Sequence, residues 1–182
     1  LCFAAAGLCG VTLYYLMENM ALTYTLASNV GVIISIAPFF TVIFTCLFLH
    51  EGRPGPRFFC GFLIAMAGIF LISFDSKTEL QLNPLGDILA VTAAVLWAAY
   101  STLMKKITGY GYNTIQTTRR IFFYGIGLMI PVLFIMDFHV ELWQFYDMKM
   151  LLNLIFLGLG ASALCFVTWN FAVKMVGSVK TI

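Results

Sequence analysis

A chain of 182 residues that is 62% hydrophobic and only 10% charged is not a water-soluble globule, since soluble domains run at about 45–50% apolar and about 25% charged. Its mean hydropathy of +0.97 makes lipid the solvent for most side chains, so the formal net charge of +2 matters less than where the charges sit. The five cysteines (Cys2, Cys9, Cys46, Cys60 and Cys165) lie in apolar runs without CxxC or CxxxH spacing, which argues against a zinc cluster or disulfide framework and reads them as small packing residues.

The chain opens at Leu1 inside an apolar run, with no basic stretch or small-residue cleavage site to mark a signal peptide. A helix crosses the hydrocarbon core with about 20 apolar residues at about 1.5 Å of rise each. Before Glu51 the only charge is Glu18, and as one helix that stretch would extend about 75 Å, more than twice the core thickness. It must fold back, and Ala27-Ser28-Asn29-Val30-Gly31 is the best turn. Helices are therefore predicted at 1–27 and 30–50. Four charge-free stretches, Phe58–Phe74, Ile88–Met104, Ile121–Met136 and Met150–Val173, predict further helices over 57–74, 86–104, 120–136 and 150–173. The expected fold is all-α, a polytopic transmembrane bundle with six helices in this chain.

Alternate connections collect the cations. Arg53 and Arg57, then Lys105, Lys106, Arg119 and Arg120, then Lys174 and Lys180 fall on one side, against Lys77 and Lys149 on the other. The basic side is cytoplasmic by the positive-inside rule, so the chain enters from the cytoplasm. Trp143, Phe145 and Tyr146 read as interfacial aromatics outside, and Tyr110 and Tyr112 as their counterparts inside.

Within the helices, Glu18 is the sharpest signal. It is placed about 15 Å of rise from the Ser28 turn, where a carboxylate costs several kcal/mol unless paired, protonated or hydrated. Tyr14, Tyr15, Leu22 and Thr25 share or border its helix face. Glu18 is expected to face a polar cavity and to bind a cationic or amine group or a proton; the alternative is a plain interhelical hydrogen bond. Tyr15, Trp97, Tyr100 and Ser101 are candidate lining residues, the last three interrupting the small-residue helix Ala90-Ala93-Ala94-Ala98-Ala99. Trp97 lies about 18 Å from Leu85, near the midplane, where packing is the competing role. Pro38 and Pro131 lack an N–H and bend their helices, as hinges for a moving bundle or as static kinks. Gly61, Ala65 and Gly68 form a stripe suited to close helix packing. Glu51 is expected to pair with Arg53 or Arg57, and the isolated His50 and His139 are not read as ligands. No cofactor or metal is expected.

Two segments repeat 151 residues apart: Gly7-Leu8 with Gly158-Leu159, Leu13 with Leu164, Asn19 with Asn170 and Ala21 with Ala172, while Tyr15 meets Phe166. Asn19 and Asn170 are candidate binding residues as a repeat-related pair, or packing groups. The two copies run in opposite directions in the predicted topology, as inverted repeats of five helices would require.

The stretch ALTYTLASNVGVIISIAPFFTVIFTCLFLHEG (Ala21–Gly52) resembles the third-to-fourth helix passage of EamA-type transporters of the drug/metabolite transporter superfamily. LGDILAVTAAVLWAAYSTLMKK (Leu85–Lys106) is similar to the helix that opens that family's second half, and GLGASALCFVTWNFAVKMVGS (Gly158–Ser178) to the second copy of its third helix. The resemblance implies ten helices in two inverted five-helix halves. This chain would supply helices three to eight, cut off at both ends: 1–74 from the first repeat, an outer linker 75–87, and 88–182 from the second. It also implies a secondary transporter of the plasma membrane, not an enzyme, moving amino acids, metabolites or drug-like compounds, often outward, by alternating access. The implied partners are the lipid bilayer, a small-molecule substrate and, as further candidates, a coupled proton and a second copy in a homodimer, with no nucleic acid. No GxxxxGK[ST] phosphate loop is present to suggest direct ATP use. The alternatives are a nucleotide-sugar or sugar-phosphate exchanger of the same superfamily, a membrane-embedded enzyme, and a receptor or scaffold.

Overall fold

A computed structural model describes residues 1–49, 54–73, 83–136 and 146–181. His50, Glu51, Arg53, Lys77, His139, Trp143 and Phe145 lie outside these described residues. Within them the chain is helical throughout. Helix α1 (2–24) is built of Cys2–Gly7, a π-helical stretch Leu8–Leu13, and Tyr14–Tyr24. It is followed by α2 (Ala27–Phe48), α3 (Pro56–Ser73), α4 (Pro84–Thr108), α5 (Thr114–Ile135) and α6 (Met148–Val176). A short α7 (Ser178–Thr181) follows Gly177, whose φ of +87° favours glycine. Helices α2, α4, α5 and α6 are each long and apolar enough to cross a membrane, and α3 carries a shorter apolar stretch.

The six long helices fall where charge-free length predicts them, but local side chains set their ends. Asn83 accepts from the Leu85 N–H at 3.1 Å ahead of Pro84, Asn113 from Ile115 at 3.0 Å, and Asp147 from Lys149 at 2.9 Å. These N-caps start α4, α5 and α6 earlier than apolar length suggests. Arg119 and Arg120, expected in a loop, therefore stand exposed in the early turns of α5. The expected turn at Ala27–Gly31 is instead the first turn of α2. The chain reverses at Thr25 and Leu26, both extended, and Asn29 ties back to the Thr25 hydroxyl at 3.2 Å.

Contacts between helices establish their directions. Gly10 of α1 packs on the Tyr100 ring while Gly86 meets Tyr24 and Thr25, so α1 and α4 are antiparallel. Phe3 touches Tyr112 and Thr12 donates to the Gly125 carbonyl at 2.8 Å, so α1 runs parallel to α5. Phe122 against Phe166 and Lys174 on the Tyr112 carbonyl make α5 antiparallel to α6. It follows that α1 and α6, the two 151-residue-related helices, cross in opposite directions, as the topology predicts. Helix α4 lies centrally, packed on α1, α2 and α6. Its Ala90, Ala93, Ala94 and Ala98 are fully buried, small residues that let neighbouring backbones approach.

The Gly61-Ala65-Gly68 stripe does not pack as expected. A methyl group placed on Gly61 or Gly68 would meet nothing within 4 Å among the described residues, and α3 packs chiefly on α2, as where Phe62 stacks on Phe39.

Candidate functional site

The site begins where the π-helical stretch of α1 gives way to α-helix. The next turn presents Tyr14, Tyr15 and Glu18. Side chains on a helix lean toward its N-terminus, so Glu18 reaches back to Tyr14, whose hydroxyl donates to its carboxylate at 3.1 Å. Tyr15 turns the other way and donates to Ser162 Oγ of α6 at 3.1 Å. Because α1 ends at Tyr24, Glu18 lies about 9 Å of rise from the C-terminal end of α1, closer than the 15 Å expected from a turn at Ser28.

Trp97 of α4 anchors the aromatic wall. Its ring centroid lies 5.0 Å from Tyr14, 5.2 Å from Trp169 and 5.5 Å from Phe166, the last edge-on. With Glu18, Tyr15, Ser162, Cys165 and neighbouring α6 residues, these rings line an open-sided cavity of 380 Å³. That falls within the about 300–1,000 Å³ usual for small-molecule sites. A second hollow of 340 Å³ on the far side of Tyr14, Trp97 and Trp169 is lined by Ser35 and Pro38 of α2 and by Phe62, Ala65 and Met66 of α3. There α2 bends: Ser35 Oγ bonds the Gly31 carbonyl at 2.6 Å, and Pro38 stands in the first turn of the resumed helix.

Three other candidates stand behind the cavity rather than in it. The Tyr100 hydroxyl donates to Asn170 Oδ1 at 2.6 Å, and Asn170 Nδ2 donates to Thr118 Oγ1 at 2.9 Å, joining α4, α6 and α5 through fully dry contacts. Ser101 is also buried, and its hydroxyl has no partner among the described residues. Asn19 is exposed, its amide folded onto the Tyr15 carbonyl of its own helix at 2.7 Å. Pro131 sits exposed within α5, away from the cavity. The structure therefore gathers Glu18, Tyr15 and Trp97 around one space, with Pro38 next door, and leaves Asn19 and Pro131 apart.

Trp169 carries only a weak signal in the sequence, and Ser162 and Thr118 carry none. The repeat held the missing signal. At the same 151-residue spacing Glu18 corresponds to Trp169, and the corresponding Tyr15 and Phe166 rings meet at 6.2 Å. The cavity thus lies where equivalent faces of α1 and α6 come together. Among the described residues no three His, Cys, Asp or Glu side chains cluster as metal ligands. Cys60 and Cys165, expected as packing residues, are exposed, while Cys2, Cys9 and Cys46 are half-buried.

The EamA-like transporter family matches residues 1–74 and again 84–182. An uncharacterized transporter from Archaeoglobus fulgidus is 28% identical over 94% of this chain and 58% of its own length. The uncharacterized transporter YyaM of Bacillus subtilis is 22% identical over 98% of this chain and 59% of its own. The chain thus spans somewhat more than half the length of these relatives. A solved crystal structure with 20% identity superposes with a TM-score of 0.74, covering 98% of this chain and 61% of that one, and shares its fold.

Proposed function

The chain belongs to the EamA-like transporter family, and from that premise we propose that it forms the core of a secondary transporter carrying a small organic solute through the α1–α4–α6 cavity. The observation that carries this reading is one space holding a carboxylate, Glu18, within an otherwise charge-free helix, and the rings of Tyr14, Trp97 and Trp169. An acid in such a helix is costly in lipid and is found where it lines a pathway. Amino acids, metabolites and drug-like amines all suit an aromatic-walled site of this volume. Alternating access is supported by the inverted directions of α1 and α6 and by the bend of α2 at Ser35–Pro38, which borders the second hollow. We assign the transport direction as outward and the membrane as the plasma membrane. The protein is integral to the membrane and multi-pass.

A sugar-phosphate or nucleotide-sugar exchanger is disfavoured, because such anions call for Lys or Arg in the cavity and none is among its described lining residues. An enzyme would need converging acid–base groups, and Glu18 is the only acid or base among the described lining residues besides Cys165 and two tyrosines.

The test is solute flux in cells or proteoliposomes carrying the full-length protein. Glu18→Gln keeps the shape and hydrogen-bonding capacity of the side chain and removes its charge. Transport is expected to fall at least tenfold at unchanged abundance and membrane insertion. Normal transport by this variant would reduce Glu18 to a structural hydrogen-bonding group.

A further inference from the structure

We infer that the cavity selects an organic monocation with an aromatic or alkyl body, an inference that rests on the transport reading and names its substrate class. Three features lead there.

The first is charge. The partner shown for the Glu18 carboxylate is a neutral hydroxyl, that of Tyr14 at 3.1 Å. Among the described residues no Lys, Arg or His lines the cavity. The described cations stand at helix ends, Lys105 beside Gly177 and Arg120 over the Phe3 and Tyr112 rings. An ionised carboxylate withdrawn from water calls for a positive charge, and the described lining residues supply none.

The second is the surrounding surface. Trp97 and Trp169, 5.2 Å apart, and Tyr14, 5.0 Å from Trp97, offer electron-rich faces. Such faces attract a cation within about 6 Å of a ring centroid, tryptophan most strongly. An anion would meet both Glu18 and these faces unfavourably, and the carboxylate of a zwitterion would find no basic side chain in the lining.

The third is the register of the two halves. Position 18 on α1 and its equivalent, position 169 on α6, carry Glu and Trp. A ligand lying between them meets one charge on one wall and an indole on the other. That fits a single positive charge with an apolar body better than a dication, and the 380 Å³ of space accommodates one.

The experiment uses the full-length protein in lipid nanodiscs and three probes that share a phenyl ring: phenyltrimethylammonium, benzyl alcohol and benzenesulfonate. Quenching of tryptophan fluorescence reads binding. The cation should bind saturably and at least tenfold more tightly than the other two, and Glu18→Gln should weaken it at least tenfold. Trp169→Phe should weaken it by a smaller factor. Equal binding of sulfonate and ammonium by the unaltered protein overturns the inference without any variant having to fold. So does equal cation binding by a folded Glu18→Gln protein. Flux in proteoliposomes separates the two readings. Movement of neutral or zwitterionic solutes with no movement of the cation defeats the monocation inference and leaves the transporter. Tight cation binding without flux of any solute upholds the site and defeats transport.

Discussion

Asn170 shows what one polar side chain does in a membrane bundle. With no water in the hydrocarbon to replace a lost partner, the Tyr100 hydroxyl depends on Asn170 Oδ1, and Asn170 Nδ2 in turn reaches Thr118. The three residues hold α4, α5 and α6 together immediately behind the wall formed by Trp97 and Phe166. Interhelical hydrogen bonds of this kind average about 0.6 kcal/mol and reach about 1.7, and stranding a buried polar group costs about 1–3 kcal/mol. Asn170→Leu should therefore destabilise the protein by about 1–3 kcal/mol, read as a lowered melting temperature in detergent, whereas Asn19→Leu should cost little. A melting temperature unmoved by Asn170→Leu would mean the network is incidental. The repeat pairs these two asparagines, but only Asn170 meets hydroxyls from neighbouring helices; Asn19 bonds its own backbone.

At the scale of the element, the notable feature is the matched pair of π-helical stretches. Leu8–Leu13 in α1 and Phe156–Leu164 in α6 both end on a residue of the repeat, Leu13 and Leu164. Each leads directly into a turn that lines the cavity, Tyr14–Glu18 on one side and Cys165–Trp169 on the other. π-Helical turns are rare and concentrate at functional sites. Here the wider turn sets the angle between two interfaces of α1. Below it Gly7 lies so close to α5 that an added methyl would come within 2.6 Å of the Ile121 carbonyl; above it Tyr15 bonds Ser162. Removing one residue rotates one part of a helix against the other by about 100°, so both contacts cannot survive. Deletion of Cys9 should abolish transport and lower stability, while Cys9→Ala, which keeps the register, should retain most of the activity. Transport by the deletion variant would show that the π-helical stretch is dispensable.

Across the whole molecule, charge and direction agree. The contacts of Lys174 with the Tyr112 carbonyl, of Arg120 with the Phe3 and Tyr112 rings, and of Lys105 with the neighbourhood of Gly177 bring the described basic clusters to one end of the bundle. Asp87 and Asp147 stand at the starts of α4 and α6, at the other end. On the positive-inside rule we propose that the basic end is cytoplasmic. In a cysteine-free background, a thiol at position 106 should react with a membrane-impermeant reagent only after the cells are opened, and one at position 149 in intact cells. Labelling of position 106 from outside would reverse the orientation. Helix α6 shows how much of the bundle's surface is uncovered: apart from Phe166, Asn170, Val173 and the partly buried residues near them, most of its side chains are exposed, leaving them to lipid or to further helices.

The membrane class, the six long helices and their alternating polarity follow from the sequence because each depends on local quantities: apolar length, the placement of charge and the rise of a helix. Glu18 stands out by the same logic, since an acid in an apolar run is conspicuous without any partner in view. Helix ends needed more, for Asn83, Asn113 and Asp147 begin their helices earlier than hydropathy does. What only the tertiary structure decided is convergence. That Tyr15 meets Ser162, that Asn170 meets both Tyr100 and Thr118, and that Trp169 shares a cavity with Glu18 depend on which helix faces pack. Those faces are selected by close approach at Gly7, Gly10 and Gly125 and along the alanines of α4, and steric fit between residues a hundred positions apart leaves no periodicity in the chain to read.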